Sequence, residues 1–190
     1  MIRDKDIREP LFDFLEAEYG KIRIIEEKTM GRSRADVVMV TEDALFGLEI
    51  KSDADTYERL SGQVKDYNKY FDYNYVVAGT KHAHHIDEHV PDAWGIITVE
   101  QDERDESKLD FYILRRPERN KKRDMLKKIS ILWRPELAHI LAGARLPKYS
   151  GKNKKYVTKV LVDKIPEEQL DRLISEELFE RDYTVFDDEV

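Results

Sequence analysis

Residues 35–51 read ADVVMVTEDALFGLEIK, and the reading of this stretch decides the fold. Ala35–Val40 is a nearly continuous apolar run, rich in β-branched residues, and reads as a mostly buried strand. Thr41–Ala44 turns the chain, and Leu45–Lys51 then alternates apolar and other residues, as a strand with one buried face should. Side chains two apart on a strand share a face, so Glu49 and Lys51 point one way while Ile50 points into the core. If the two strands pair through the short turn, Asp36 stands near Glu49. The carboxylates of Asp36 and Glu49 with the backbone carbonyl of Ile50 then offer the all-oxygen environment that Mg²⁺ or Mn²⁺ prefers. Lys51 beside them can position or help deprotonate a water, or neutralise charge on a phosphate under attack.

Working outward, Ile7, Leu11, Phe12, Leu15 and Tyr19 recur at helical spacing and stop at Gly20, predicting a helix over 6–19. Ile22, Ile24 and Ile25 mark a short strand, followed by a polar loop over 29–34. Beyond Lys51, the stripe Tyr57, Leu60, Val64, Tyr67 and Phe71 predicts a helix over 56–71, with Ser52, Asp53 and Asp55 as its capping residues. Strands are expected at 73–79, 94–99 and 109–114, with a short helix near His85–Val90. A helix between the third and fourth strands implies a parallel crossover in a mixed sheet. Residues 115–124 read as a linker or exposed helix start. Further helices are expected at 125–132, 136–141, 156–162 and 166–179, with a basic loop at 148–155. The expected organisation is an α/β core over 1–116, a basic helical region over 117–182 and an acidic tail over 183–190.

The chain of 190 residues is 41% hydrophobic, enough for a proper core. It has no cysteine, which removes disulfides and thiolate metal sites and suits a cytoplasmic location. No apolar run approaches membrane-spanning length, so no membrane partner is expected. The net charge of −7 conceals a segregation: residues 115–159 carry 15 Lys and Arg against three acids. A local field of that sign suits phosphate contact, although a solvated basic helix surface explains it equally.

With helix, three strands, helix and strand in order, and with Asp36 and Glu49-x-Lys51 on the hairpin, the chain resembles the PD-(D/E)XK nuclease superfamily. The segment GLEIKSDADTYERLSGQVKDYNKYF followed by YVVAG is similar to small bacterial and phage members of its RecB-like or resolvase-like branches. The resemblance spans roughly residues 6–115, with Ala35 in place of the motif's proline. It implies a restriction-endonuclease-like αβββαβ core with a helical C-terminal extension. It also implies a metal-dependent hydrolase, an endonuclease acting on DNA with Mg²⁺ or Mn²⁺. Asp36 and Glu49 would be ligands, Lys51 the water-orienting cation, and Glu9 and Gln63 outer members of the site. Many enzymes of this scaffold are dimers, which leaves a homodimer open. A non-catalytic DNA-binding or protein-interaction module on the same scaffold is the alternative.

Arg32 and Arg34 flank the catalytic strand and are candidates for phosphate contact, against a plain surface-loop role. Lys152, Lys154 and Lys155 lie in a stretch that faintly resembles a SAP-like helix–loop–helix, where basic residues would grip DNA phosphates. His85 and His89 have zinc-chelating spacing, but Ile86 stands where a metalloprotease needs Glu and no third ligand declares itself.

Overall fold

Helix α1 (Asp4–Tyr19) buries Ile7, Leu11 and Leu15, three positions separated by one turn each. That stripe lies on one face of a six-stranded sheet whose strands follow chain order across it. They are β1 (Arg23–Met30), β2 (Ser33–Val40), β3 (Leu45–Lys51), β4 (Tyr73–Gly79), β5 (Gly95–Gln101) and β6 (Leu109–Arg115). The computed structural model describes residues 2–102, 104–105 and 108–182; the expected acidic tail lies outside them. Pairing is antiparallel for β1–β2, β2–β3 and β5–β6, and parallel for β3–β4 and β4–β5. The parallel crossover expected after β3 is made by α2 (Leu60–Tyr70).

The other face of the sheet carries α2 together with α3 (Met125–Ile129), α4 (Arg134–Gly143), α5 (Lys154–Lys164) and α6 (Glu167–Glu180). Val37 and Met39 face α1 while Val38 and Val40 face the larger helical layer, so the sheet is a filling between two layers of helix. All seven residues of β3 are buried, both faces being covered, whereas its alternation had suggested one covered face. Among the described residues, no helix is long and apolar enough to cross a membrane.

Gly47 decides how closely α2 approaches. A Cβ there would lie 2.2 Å from the Phe71 ring and 2.7 Å from that of Tyr67. Only a glycine lets these two side chains rest on β3, and their rest position aims the first turn of α2 at the end of the strand.

Several boundaries differ from the sequence reading. The loop expected over 29–34 is a tight hairpin: Met30 pairs with Ser33, and Gly31 adopts φ 61°. Helix α2 starts at Leu60 rather than at 56, because Asp55 folds back to accept from the Ser52 amide (2.9 Å) and hydroxyl (2.6 Å). Tyr57 meanwhile leaves the helical stripe to stack on His89 at 3.8 Å between ring centroids. Only a 3-10 turn, Ile86–Glu88, occupies the expected helix near 85–90. Lys154 and Lys155 are the first residues of α5, whose N-cap is Asn153, and are not loop residues.

The segment expected as a linker is pinned. Asn120 donates to the Asn68 and Phe71 carbonyls, both at 2.8 Å. Arg123 pairs with Asp72 and Asp171, and the fully buried Lys128 ammonium lies 2.7 Å from Asp72 Oδ2 and 2.6 Å from Asp171 Oδ1. Asp72 Oδ2 also accepts from the Leu45 amide at 2.7 Å. The C-terminal helices and the first residue of β3 are thereby joined through one carboxylate, and the helices share a hydrophobic cluster with the sheet.

Candidate active site

The ladder between β2 and β3 ends at Val37–Leu48, although β2 continues against β1 to Ser33. Past that point the two strands part, and Asp36 turns into the gap, where its Oδ2 accepts from the Ile50 amide at 2.8 Å. The N–H and C=O of one strand residue face the same neighbour, so the Ile50 carbonyl is also directed to this side. Opposite Asp36 on β1, Glu27 takes φ 54°, and the paired register skips from Glu26–Val37 to Lys28–Ala35. A non-glycine residue at that φ is uncommon; here it turns the Glu27 carboxylate toward Arg8, which donates to it at 2.8 Å.

Glu49 is 1% exposed and takes three donors. Its Oε1 accepts from the Lys51 ammonium at 2.7 Å and from Gln63 Nε2 at 2.5 Å, and its Oε2 accepts from the Tyr67 hydroxyl at 2.8 Å. Lys51 also donates to Gln63 Oε1 at 3.2 Å, so the amide of Gln63 bridges acid and base. Gln63 and Tyr67 are one turn apart on α2, which is why one helix delivers both. Burial, then the charges of Glu49 and Asp36, hold the Tyr67 hydroxyl well above its ordinary pKa, so it stays a donor.

Asp36 titrates unusually: its carboxyl is pushed up to about 7, first by burial and then by the negative charge of Glu49, against the Ile50 hydrogen bond that lowers it. Two carboxylates are thus held close enough that ionising both is costly, a conflict that a divalent cation relieves. Asp36, Glu49, Ile50, Lys51 and Gln63 all line one polar cavity of about 220 Å³. Among the described residues, no group of three or more His, Asp or Glu side chains is arranged to hold a metal. The carboxylates of Asp36 and Glu49 and the Ile50 carbonyl are all-oxygen donors, a set that could hold a hard cation only if water filled its other positions.

Glu9 is not part of this arrangement. It is exposed, and the α1 residues that line the cavity are Asp4 and Arg8. Burial works to lower the Arg8 pKa, but the hydrogen bonds it donates to Asp4 and Glu26 outweigh that and raise it, fixing the guanidinium where it also donates to the Asp36 carbonyl at 3.2 Å. Arg32 and Arg34 are exposed on the hairpin; Arg34 pairs with Glu27 at 2.6 Å, and both line an adjoining cleft of about 730 Å³ together with Asp36 and Gln63. Arg59, which the sequence did not single out, lines both spaces. Lys154 and Lys155 line a more distant depression at α5; Lys154 donates to the Ser130 carbonyl at 2.7 Å, and Lys152 lies over the Tyr156 ring at 5.3 Å. The histidines gather no metal site among the described residues: His82 Nε2 contacts the Asp55 carbonyl, and His85 pairs with Glu88.

Compared with known proteins, residues 2–188 match the model of the family described as Bacteriophage P4 protein cII. The chain belongs to the phage P4 cII family. Among curated proteins nothing matches this cII-family chain. Among solved structures it is similar to Pyrococcus furiosus SfsA in complex with Ca²⁺, at 15% identity and a TM-score of 0.34, covering 57% of this chain and 59% of that one.

Proposed function

We propose that this cII-family protein is a divalent-metal-dependent nuclease of the PD-(D/E)XK type that hydrolyses DNA phosphodiester bonds. The observation that carries the reading is the buried contact of Glu49 with Lys51 and Gln63, beside Asp36 in one polar cavity. The αβββαβ order from Asp4 to Gly79, extended by β5 and β6, supports it. Asp36, Glu49 and the Ile50 carbonyl would hold Mg²⁺ or Mn²⁺, which when bound polarises a phosphoryl oxygen and acidifies water. Lys51 spends two ammonium hydrogens on Glu49 and Gln63 and keeps the third for a phosphate oxygen or the attacking water. Gln63 and Tyr67 hold the Glu49 carboxylate in one orientation, and Arg34 and Arg59 face the incoming backbone from the cleft wall.

The test is cleavage of linear and branched DNA with Mn²⁺ or Mg²⁺. Glu49→Ala and Lys51→Ala should each abolish it; cleavage at the wild-type rate by either variant discards the assignment. A non-catalytic DNA-binding module on the same scaffold is the second reading, favoured by the lack of a three-carboxylate group among the described residues. Calorimetric titration with Mn²⁺ separates the two, since an inert scaffold takes up no stoichiometric metal.

A further inference from the structure

The cavity at Glu49 is the inner end of something longer. It shares Arg34, Asp36, Arg59 and Gln63 with the cleft behind the β1–β2 hairpin. That cleft shares Gly31, Arg32, Ser33 and Gly62 with a third depression of about 460 Å³ bounded by Lys65, Lys69 and Lys127. Lys127 in turn belongs to a fourth, of about 510 Å³, between α3 and α5, where Lys155 and Lys159 stand. The four spaces are neighbours through shared lining residues, the last pair through Lys127 alone, and together they lead as a track from the candidate active site to α5.

The track's chemistry is uneven in a telling way. Outside the innermost cavity it is lined by nine basic side chains against four carboxylates, on a chain whose net charge is −7. Two of those carboxylates have structural duties: Asp66 accepts from Ser33 and Lys69, and Asp124 caps α3. Among the described residues, no carboxylate lies within ion-pairing distance of Arg32, Arg59, Lys65, Lys127 or Lys155, which are all exposed. Five exposed cations without internal partners along one groove suit a polyanion. Among the described residues that line these spaces the one aromatic is Tyr70, which is buried, and the part-exposed Tyr156 ring beside Lys155 is already engaged by Tyr149 and Lys152. A single strand with unstacked bases would find no exposed ring to stack on among the residues that line them. A duplex, whose bases are already stacked and whose phosphates face outward, needs none.

We infer that the track is the seat of a DNA duplex, gripped through its phosphate backbone from Arg59 and Arg32 past Lys65 to Lys127 and Lys155. The inference rests on the nuclease reading for what lies at the inner end, where the scissile bond would be presented. The grip ignores sequence, because ammonium and guanidinium groups on phosphates carry no base information. The C-terminal helices thereby become part of the substrate surface.

The experiment is fluorescence anisotropy of a labelled 30-base-pair duplex with the full chain in EDTA, over a range of salt, beside a cleavage assay with Mn²⁺. Lys65→Ala/Lys127→Ala/Lys155→Ala changes three exposed side chains, and circular dichroism verifies its fold; Lys5→Ala/Lys164→Ala is the control. The triple variant should bind the duplex at least about tenfold more weakly, and the slope of log affinity on log salt should flatten by roughly 2–3, at about 0.9 per phosphate contact. The control should match the wild type. Wild-type protein that does not bind the duplex, a triple variant with unchanged affinity and slope, or a single strand of equal length bound more tightly than the duplex would each overturn the track. The two readings fail separately. A protein that cleaves while its triple variant binds normally keeps the nuclease and loses the track. One that never cleaves yet loses duplex binding on triple substitution keeps the track and loses the nuclease.

Discussion

The Lys51 ammonium lies 2.7 Å from Glu49 Oε1, two residues away on the same strand, with both side chains almost wholly out of water. Such a pair is costly to bury unless further hydrogen bonds complete it, and Gln63 and Tyr67 supply them. Gln63→Leu removes a donor from the acid and an acceptor from the base at once. Metal-dependent cleavage should fall by roughly 10–100-fold, as for other residues that orient metal ligands. Single-turnover kinetics will read this; a change under threefold contradicts the bridging role.

Tyr67→Phe deletes one hydroxyl and leaves Glu49 Oε2 without its donor in a buried place. A loss of about 1–3 kcal/mol is expected for an unsatisfied buried partner. Urea denaturation measures it, and it should exceed the effect of Tyr112→Phe on the exposed side of β6.

The elevated Asp36 carboxyl gives a pH signature. Its folded pKa, about 7, lies above the ordinary unfolded value, so the folded state holds a proton that the unfolded state lacks between about pH 4 and pH 7. Stability of the metal-free protein should therefore decline as pH rises through that window, with the full cost present above it. On the proposed reading a metal held by Asp36 would have to displace this proton, so Mn²⁺ affinity should weaken by up to about tenfold per pH unit below 7. Thermal shift on adding Mn²⁺ should be larger at pH 8 than at pH 6, and Asp36→Asn should remove the difference.

Gly47→Ala puts a methyl group where the Phe71 and Tyr67 rings lie. Overpacking of this kind costs roughly 1–3 kcal/mol. It also pushes α2 off the strand, so activity should fall more than stability alone explains. Measuring both below the melting transition tests the link.

Lys128→Met should be more damaging than its distance from the cavity suggests. It leaves Asp72 and Asp171 short of a buried counter-ion, a loss of about 3 kcal/mol or more. Chemical denaturation will show whether the cost exceeds that of Lys127→Met, its exposed neighbour.

The parts of this arrangement visible in the sequence were those fixed by local period. Glu49 and Lys51 share a face because a strand alternates, and Gln63 follows because it stands one turn before Tyr67 on the apolar stripe. The same period sets Glu9 apart from the site. At 100° per residue it lies 200° around α1 from the buried Ile7, on the solvent side, while Asp4 lies within 60° of it. Other features had no local signature. Nothing in GRSRADVVMV announces that β2 leaves β3 after Val37, or that Glu27 kinks the strand beside it. The late start of α2 goes with the turn in which Asp55 accepts from Ser52 and with a ring stack between Tyr57 and His89, 32 positions apart in the chain. Arg59 gained its place from that late start.

Asp72 has a last implication. The same carboxylate steadies the opening amide of β3 and neutralises Lys128 and Arg123 beneath the terminal helices. Trimming the chain near residue 116 would strand an ion in oil and bare the sheet it shelters. The two halves stand or melt together, and neither can be borrowed without the other.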